Sequence, residues 1–495
     1  MKILIYMPFN DCVSHVGINL EIAAKHLNNG DEVHIIQCSG DLSYCEHNWN
    51  NLKSICTLCE LARDKGLNLI HLPSQNRHEL ALDNFIPDLD LPDFSSIKEL
   101  KAFEINGIDF GMAVSSTLIS MLREQNPDLD QYKNLIKQNL LFSIGVYEAI
   151  KHHINKIEPD VFYLFNGRYA SLRPALRAAQ NLGVKTFVHE RSGVLQRYSL
   201  TEDTYPHDIE YMKNQIELYW NDKRPLIEKK EIARQWFEER REGKDQSWHS
   251  FTKSQMDGAL PEGFDPSKRN IAIFNSSEDE FESIVGYQNP IYKNQIDAIH
   301  AIINADIDNN IRLYLRIHPN LKDLDNSQTQ ELKELSEKKV LNLIVIPADA
   351  EIDSYKMMDR CEKVITFGST MGIESVFWNK SSILVGHALY ENLGGVYIPK
   401  NHDKVIELIN SHLNPTSIVG ALKYGYWQAI RGHLYMYYHP ESVMDGKFLG
   451  KSLIFKPKIV ARYIDKISPI MPAPVRALLR PVYYWVEASC IRLGL

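Results

Sequence analysis

The run Val364-Ile365-Thr366-Phe367-Gly368-Ser369-Thr370-Met371-Gly372-Ile373-Glu374-Ser375-Val376-Phe377-Trp378 constrains the fold of this chain more than any other stretch. Its first four residues are β-branched or aromatic, the composition of a short buried strand in a parallel sheet. Gly368-Ser369-Thr370 breaks that strand, and residues 371–378 read as a helix with Ser369 or Thr370 as its N-cap. A strand, a turn of small residues and a helix N-terminus together present backbone N–H groups and a helix dipole to an anion. Glu374 stands about one helical turn in, within reach of a ribose. The same pattern also serves as an ordinary strand-to-helix turn of a Rossmann-like domain, so the neighbouring segments must decide between the two.

Those segments form two series of strands and helices. Residues 2–7 read as a first strand, 17–27 as a helix stopped by Asn29-Gly30, and 32–37 as a second strand. The spacing allows a third strand over 67–72, mostly helix over 76–155, and strands over 160–165 and 184–189 around a helix at 173–182. A polar stretch rich in Trp and Tyr, 206–260, leads to a linker near 261–268. A second series follows, with strands over 270–274, 312–317, 341–346, 364–367 and 382–385 alternating with helices. The fold expected is α/β: two Rossmann-like domains in a GT-B arrangement, with helical insertions and a C-terminal amphipathic helix. The expected divisions are an acceptor domain over 1–265, a nucleotide-sugar domain over 266–415, crossover helices over 416–470 and the amphipathic tail over 471–495. An aromatic set, Tyr424, Tyr426, Trp427, Tyr435, Tyr437 and Tyr438, is expected to pack where those helices cross back or to stack on an acceptor sugar.

A net charge of −8 gives no bulk attraction for nucleic acid, so none is expected as a partner. No apolar run reaches the roughly 18 residues of a membrane span, and the first residues lack a signal-peptide core, so a cytoplasmic protein is expected. Seven cysteines in so long a chain do not suggest a disulfide framework. Cys38, Cys45, Cys56 and Cys59 are spaced C-x6-C-x10-C-x2-C, which suits either a structural zinc or free thiols. Four thiolates would fill a zinc shell, so no catalytic metal or other catalytic cofactor is expected.

Polar residues gather at predicted strand ends, where open parallel sheets bind ligands. Arg316-Ile317-His318-Pro319-Asn320 closes one strand; Pro319 holds His318 extended, and Arg316 and His318 can both donate to phosphate oxygens. Asn275, Ser276 and Ser277 follow the first strand of the second series and face the same rim, either as donor ligands or as a helix cap. In the first series, Asn166-Gly167-Arg168 and Glu190 end successive strands. Glu190, or a group between Asp11 and His15, could take a proton from an acceptor hydroxyl or act as a nucleophile; an ion pair of Glu190 with Arg168 or Arg191 is the alternative.

Residues 275–280, 316–320, 352–355 and 367–374, followed by Gly386 and Tyr390, resemble motifs of bacterial capsule and surface-polysaccharide biosynthesis proteins, and so do 166–168 and 189–193. That group includes the β-Kdo transferases of capsule assembly. The resemblance implies a GT-B glycosyltransferase with an HP motif and a Ser-rich phosphate loop. It implies a nucleotide-sugar donor, bound by Asn275, Ser276, Ser277, Arg316, His318, Ser369, Thr370 and Glu374, and a glycan or lipid-linked acceptor near Asp11, His15, Asn166 and Arg168. Glu190 and His318 are the expected catalytic groups, with metal-independent chemistry. The product would be capsule, O-antigen, lipopolysaccharide or related surface polysaccharide. A sugar-nucleotide 2-epimerase of the same architecture and a non-catalytic scaffold of a polysaccharide assembly complex are the alternatives.

The tail adds a location. Residues 451–495 carry eight basic and two acidic side chains, a net +6, against −14 for the rest of the chain. At helical spacing Arg476, Arg480 and Glu487 share one face, and Leu478, Leu479, Val482, Trp485 and Val486 the other. A basic amphipathic helix of this kind, kinked or divided at Pro481, either lies in the interface of an anionic membrane, here the inner leaflet, which makes the expected protein peripheral, or packs on the core.

Overall fold

The computed structural model describes residues 1–453 except 11, 39–41, 43, 49–52 and 339. The described residues divide into two compact units: unit 1 is Met1–Thr117, Leu129–Pro206 and the described residues from Gly432 onward, and unit 2 is Leu118–Asp128 and His207–Arg431.

Unit 1 opens with β1 (Lys2–Met7), α1 (Val13–Asn28), β2 (Glu32–Cys38), α2 (Lys53–Leu69) and β3 (Arg77–Leu80). It continues through α3 (Ile97–Lys101), α4 (Phe110–Leu122, of which the residues from Leu118 on count with unit 2), α5 (Lys133–Ile157), β4 (Val161–Phe165), α6 (Arg173–Asn181), β5 (Lys185–Arg191) and β6 (Arg197–Glu202). The sheet order is β6-β5-β4-β1-β2-β3, with the short strand His433–Leu434 beside β6. The order β3-β2-β1-β4-β5 within it is that of a doubly wound α/β fold. β1 is buried from Ile3 to Met7, as a central parallel strand covered on both faces must be. The returning chain is fastened by Glu21 of α1, whose fully buried carboxylate accepts from the backbone N–H groups of Met436, Tyr437 and Tyr438 at 2.7, 2.8 and 2.9 Å.

Unit 2 contains α7 (Ile209–Trp220), α8 (Leu226–Arg241), β7 (Arg269–Phe274), α9 (Glu278–Glu282), α10 (Gln295–Ile303), β8 (Ile311–Arg316) and α11 (Ser327–Glu337). β9 (Leu343–Ile346), α12 (Ser354–Arg360), β10 (Lys363–Thr366), α13 (Met371–Phe377), β11 (Ser381–Leu384), α14 (His402–Asn410) and α15 (Val419–Ile430) follow. Its five strands are all parallel in the order β11-β10-β7-β8-β9, the same winding as in unit 1. Ile271, Ile273, Leu313, Leu315, Ile365 and Ile383 form the core on one face. Among the described residues no helix is long and apolar enough to cross a membrane.

Several boundaries differ from the sequence reading. Residues 67–69 end α2, and the third strand is Arg77–Leu80; Leu67 and Leu72 are buried all the same, and a short apolar run does not by itself separate helix from strand. The units divide at Pro206 rather than at 265. Residues 261–268 are part of unit 2: the Asp265 N–H donates to the Tyr314 hydroxyl at 3.1 Å, and the Phe264 ring lies 5.1 Å from the Tyr314 ring. α15 also belongs to unit 2, where Tyr426 donates to Asp222 of the α7–α8 turn at 2.6 Å, so the chain returns to unit 1 at Gly432 instead of 416. The aromatic set therefore separates, with Tyr424, Tyr426 and Trp427 buried in unit 2 and Tyr435 and Tyr438 packed in unit 1. The expected amphipathic tail, 471–495, lies outside the described residues.

Unit 1 holds a chain of imidazoles across β2, β3 and α5. His34 donates from Nε2 to Glu32 at 2.9 Å, and its Nδ1 is 3.0 Å from His78 Nε2; the His78 ring stands 5.8 Å from that of His153. Burial, then the neighbouring imidazoles, lowers the pKa of His78 and brings that of His153 to about 4. The unfolded chain takes up protons near pH 6.5 while these folded rings stay neutral, so stability is complete above that pH and is lost as pH falls toward about 4. The urea midpoint of unit 1 is expected to fall between pH 7 and pH 4.5, and His153→Phe is expected to flatten that dependence.

Candidate functional site

In unit 2, β7 and β10 run side by side, with Phe274 opposite Thr366, and their onward connections leave in opposite directions to β8 and β11. Ligands of open α/β sheets bind at such a switch point. A cavity of about 300 Å³ opens there, lined by the turns after β7, β8 and β10, by Arg240 at the end of α8, and by residues 244–255. Asn275, Ser276, Ser277, Arg316, His318, Ser369, Thr370 and Glu374 all line it. The structure therefore brings the whole expected donor set to one cavity, although the individual side chains differ in what they have free.

His318 is oriented from both sides. Its backbone N–H donates to Asn275 Oδ1 at 2.8 Å, and its Nδ1 accepts from the Asn320 N–H at 3.1 Å. The Phe251 ring stands edge-on at 5.3 Å. Burial, reinforced by Arg316 and Arg123, lowers its pKa to about 4. The ring is thus neutral at pH 7 with Nδ1 as an acceptor, which leaves the proton on Nε2. Such an imidazole donates a hydrogen bond from Nε2, which suits an acceptor oxygen of a ligand.

The loop after β7 is held from below. The Ser276 N–H donates to Gln295 Oε1 and its carbonyl accepts from Gln328 Nε2, both at 2.9 Å. Its hydroxyl is buried on the cavity without a hydrogen-bond partner among the described residues. Ser277 donates to Asp279 at 2.5 Å and accepts from Arg123 at 3.0 Å, so its hydroxyl is occupied. Across the cavity, Gly368 has φ +132°, and an added Cβ would lie 2.3 Å from the Phe281 ring and 2.8 Å from the His387 carbonyl oxygen. Only glycine lets the chain turn there. Ser369 Oγ accepts from the Met371 N–H at 3.3 Å, and the Ser369 carbonyl accepts from the Tyr390 hydroxyl at 2.6 Å.

Two expected ligands have other work. The Arg316 guanidinium donates to the carbonyls of Pro347 and Ala350, the latter at 2.9 Å, and only its Nε is without a partner among the described residues. Arg316 therefore braces the loop before α12 rather than presenting a two-pronged fork to phosphate. Glu374 is fully buried; Arg240 donates to its Oε1 from Nε at 3.0 Å, and the Tyr355 hydroxyl donates to Oε2. Burial alone would raise the Glu374 pKa, but Arg240 and these hydrogen bonds hold it below the usual carboxylate range. Both oxygens are thereby committed, and a ribose contact would have to displace one of these donors. Arg240 also donates to Thr370 Oγ1 at 3.1 Å. Sequence reading missed Arg240 and residues 244–255, and quoted Tyr355 only as part of a motif without a role; the run Glu238-Glu239-Arg240-Arg241 reads only as a charged helix end.

In unit 1 the corresponding edge carries a second group. Asn166, at φ +54°, turns its Nδ2 to Glu190 Oε2 at 3.1 Å, and the Arg191 N–H donates to Oε1 at 3.1 Å. His15, on the first turns of α1, stacks on Phe165 at 3.8 Å with its Nε2 3.9 Å from Glu190 Oε1. His15, Asn166 and Glu190 thus come together at the ends of β4 and β5. Arg168 lies over the Tyr169 ring at 4.6 Å, and Asp11 is outside the described residues.

The four cysteines do not form the expected zinc shell. They share a small cavity, but Cys59 Sγ accepts from the Asn10 N–H at 3.0 Å and Cys56 Sγ from Asn48 at 3.1 Å. Among the described residues no group of three or more His, Cys, Asp or Glu is placed to hold a metal ion.

Because Arg240 is the largest influence that keeps Glu374 charged, Arg240→Met should cost unit 2 about 3 kcal/mol in urea unfolding, the cost of removing the partner of a buried carboxylate. The double variant Arg240→Met/Glu374→Leu should recover most of that loss.

Residues 282–402 match the family described as capsule polysaccharide biosynthesis protein. A comparison with the curated proteins finds no match. Among solved structures the chain is similar to KpsC of Thermosulfurimonas dismutans, a beta Kdo 2,4 transferase, at 13% identity over 54% of this chain and 79% of that one, with a TM-score of 0.37. It is similar to a beta Kdo 2,7 transferase, KpsC of the same organism, at 14% over 56% and 80%, with a TM-score of 0.35. It is similar to the UDP-GlcNAc 2-epimerase of Methanocaldococcus jannaschii at 10% over 86% and 98%, with a TM-score of 0.25. The segment matched by the capsule polysaccharide family contains the His318 and Gly368 turns, whereas residues 275–277, Arg240 and the 244–255 loop lie outside it.

Proposed function

We propose that this protein is a glycosyltransferase of GT-B type that uses a nucleotide-activated sugar to build capsule or a related surface polysaccharide. The observation that carries the reading is the convergence of His318, Ser276 and Ser369 on one cavity at the switch point of unit 2, two of the three within the segment that matches the capsule family. In this reading unit 2 holds the donor. The Nε2–H of neutral His318, the Ser276 hydroxyl and Arg316 Nε donate to the donor phosphates. Donors fixed in advance stabilise charge that grows on a departing phosphate, so the chemistry calls for no metal. Arg240 and Glu374 shape the cavity, and Asn275 positions His318.

Unit 1 takes the acceptor. Glu190 is held by Asn166 and the Arg191 N–H with part of its side chain still exposed, so it can receive the proton of an acceptor hydroxyl, with His15 beside it. The basic character of residues 451–495 supports work at an anionic inner-leaflet surface, where a lipid-linked acceptor would be met.

His318→Ala is expected to abolish nucleotide binding in calorimetry with little loss of stability. Glu190→Gln is expected to keep donor binding and lose transfer to a glycan acceptor by at least a hundredfold. Interconversion of a free nucleotide sugar without acceptor would make the protein an epimerase instead, and neither activity would leave a scaffold.

Removing residues 471–495 should release the protein from anionic vesicles at low salt while nucleotide binding is kept. A full-length protein that ignores such vesicles would end the membrane reading.

A further inference from the structure

Residues 244–255 form one wall of the unit 2 cavity and, apart from Phe251 against His318, have no role among those assigned above. The wall is built, not loose. Asp245 accepts from the Ser250 N–H at 2.8 Å and pairs with Lys253 at 2.7 Å, which closes the loop on itself. Arg241, just before it, is bonded to Asp359 of α12. At the far end Gln255 Oε1 accepts from the Ser354 N–H at 2.8 Å, and the next residue, Met256, donates from its N–H to the Glu351 carbonyl at 2.9 Å. Phe251 rests on His318.

Two side chains of this wall stand out. Gln246 is 5% exposed, and its Nε2 donates to the Trp236 carbonyl at 3.1 Å. That bond fixes the amide orientation, because a carbonyl accepts only from the nitrogen end. Gln246 lines the cavity, and its Oε1 is consequently a buried acceptor with no hydrogen-bond partner among the described residues. A buried acceptor left in this state is costly unless a ligand supplies a donor. Two residues on, Trp248 lines the same cavity with 44% of its surface exposed. A large aromatic ring kept accessible beside a fixed buried acceptor matches a ligand that offers a flat face and an N–H on its edge.

We propose that the 244–255 loop recognises the nucleobase of the donor: Trp248 stacks on the ring, and Gln246 Oε1 accepts an N–H from its edge. The inference rests on the donor-site reading of this cavity and adds to it. A base satisfies both groups together. The phosphate-directed donors, His318, Ser276 and Arg316 Nε, come from the strand-end turns, so base and phosphate are read by different parts of the cavity wall.

Calorimetry on the full-length protein with UDP, CMP, GDP and ribose 5-phosphate tests this. The nucleotide that the wild type binds most tightly should lose roughly tenfold or more in affinity in Trp248→Ala and again in Gln246→Leu, the size expected for a lost stacking or edge contact. Ribose 5-phosphate, which has no base, should bind both variants as it binds the wild type. Trp248 is exposed, so its variant keeps the test valid if Gln246→Leu disturbs the fold. If the wild type binds a nucleotide and His318→Ala does not, while both loop variants bind it unchanged, the base-recognition proposal is overturned and the donor reading stands. A wild type that binds none of the three nucleotides overturns both.

Discussion

Two adjacent parallel strands whose connections leave in opposite directions decide where this molecule can do chemistry. In each unit the winding order opens a gap at the carboxyl edge of the central pair, β1 and β4 in one and β7 and β10 in the other. The chain leaving each strand there must turn without a neighbouring crossover to cover it, so its polar groups are available to a ligand. Asn275, Ser276 and Gly368 stand at that gap in unit 2, and His15 and Asn166 in unit 1. The two sites therefore follow from one topological rule applied twice.

Within unit 2 the charged residues build the cavity more than they fill it. Glu374 is wholly buried and keeps its charge because Arg240 and Tyr355 each supply a hydrogen bond and the Arg240 guanidinium pairs with it. That pairing joins the end of α8 to α12 and α13. Arg316 braces the chain before α12 in a similar way, through two carbonyls. The groups left to meet a ligand are mostly neutral: an imidazole Nε2–H, a serine hydroxyl, one guanidinium N–H and an amide oxygen. Neutral groups in a partly enclosed site carry no desolvation cost of a bare cation.

Unit 1 applies the same economy to a carboxylate. Glu190 accepts from Asn166 and from its own neighbour's N–H, which fixes its direction while part of the group stays open. Glu21, by contrast, is sealed, with three backbone N–H groups and Lys25 around it, and holds the returning chain in place. Two glutamates of one unit thus differ in role because one faces the sheet edge and the other the core.

Much of this was legible along the chain. The β-branched runs and the Gly-Ser-Thr break located β10 and its turn, and the His-Pro pair marked the end of β8, because such signals are local: each depends on the backbone preferences of a few consecutive residues. The same local signals located His318, Ser369 and Asn275 at strand ends, and so at one rim. What they left open was whatever depends on partners distant in sequence. Residues 67–72 are apolar enough for a strand and became the end of a helix and a turn, since burial satisfies either. Glu374 was read as a ribose ligand because nothing near it in sequence reveals Arg240, 134 residues away. The four cysteines were spaced like ligands, yet the sulfurs of Cys59 and Cys56 accept from Asn10 and Asn48. Sequence by itself determined the alternation of strands and helices and the polar turns that end them. Only the tertiary structure decided which of those polar groups are already paired, because hydrogen bonding and burial are set by contacts that close over long stretches of chain.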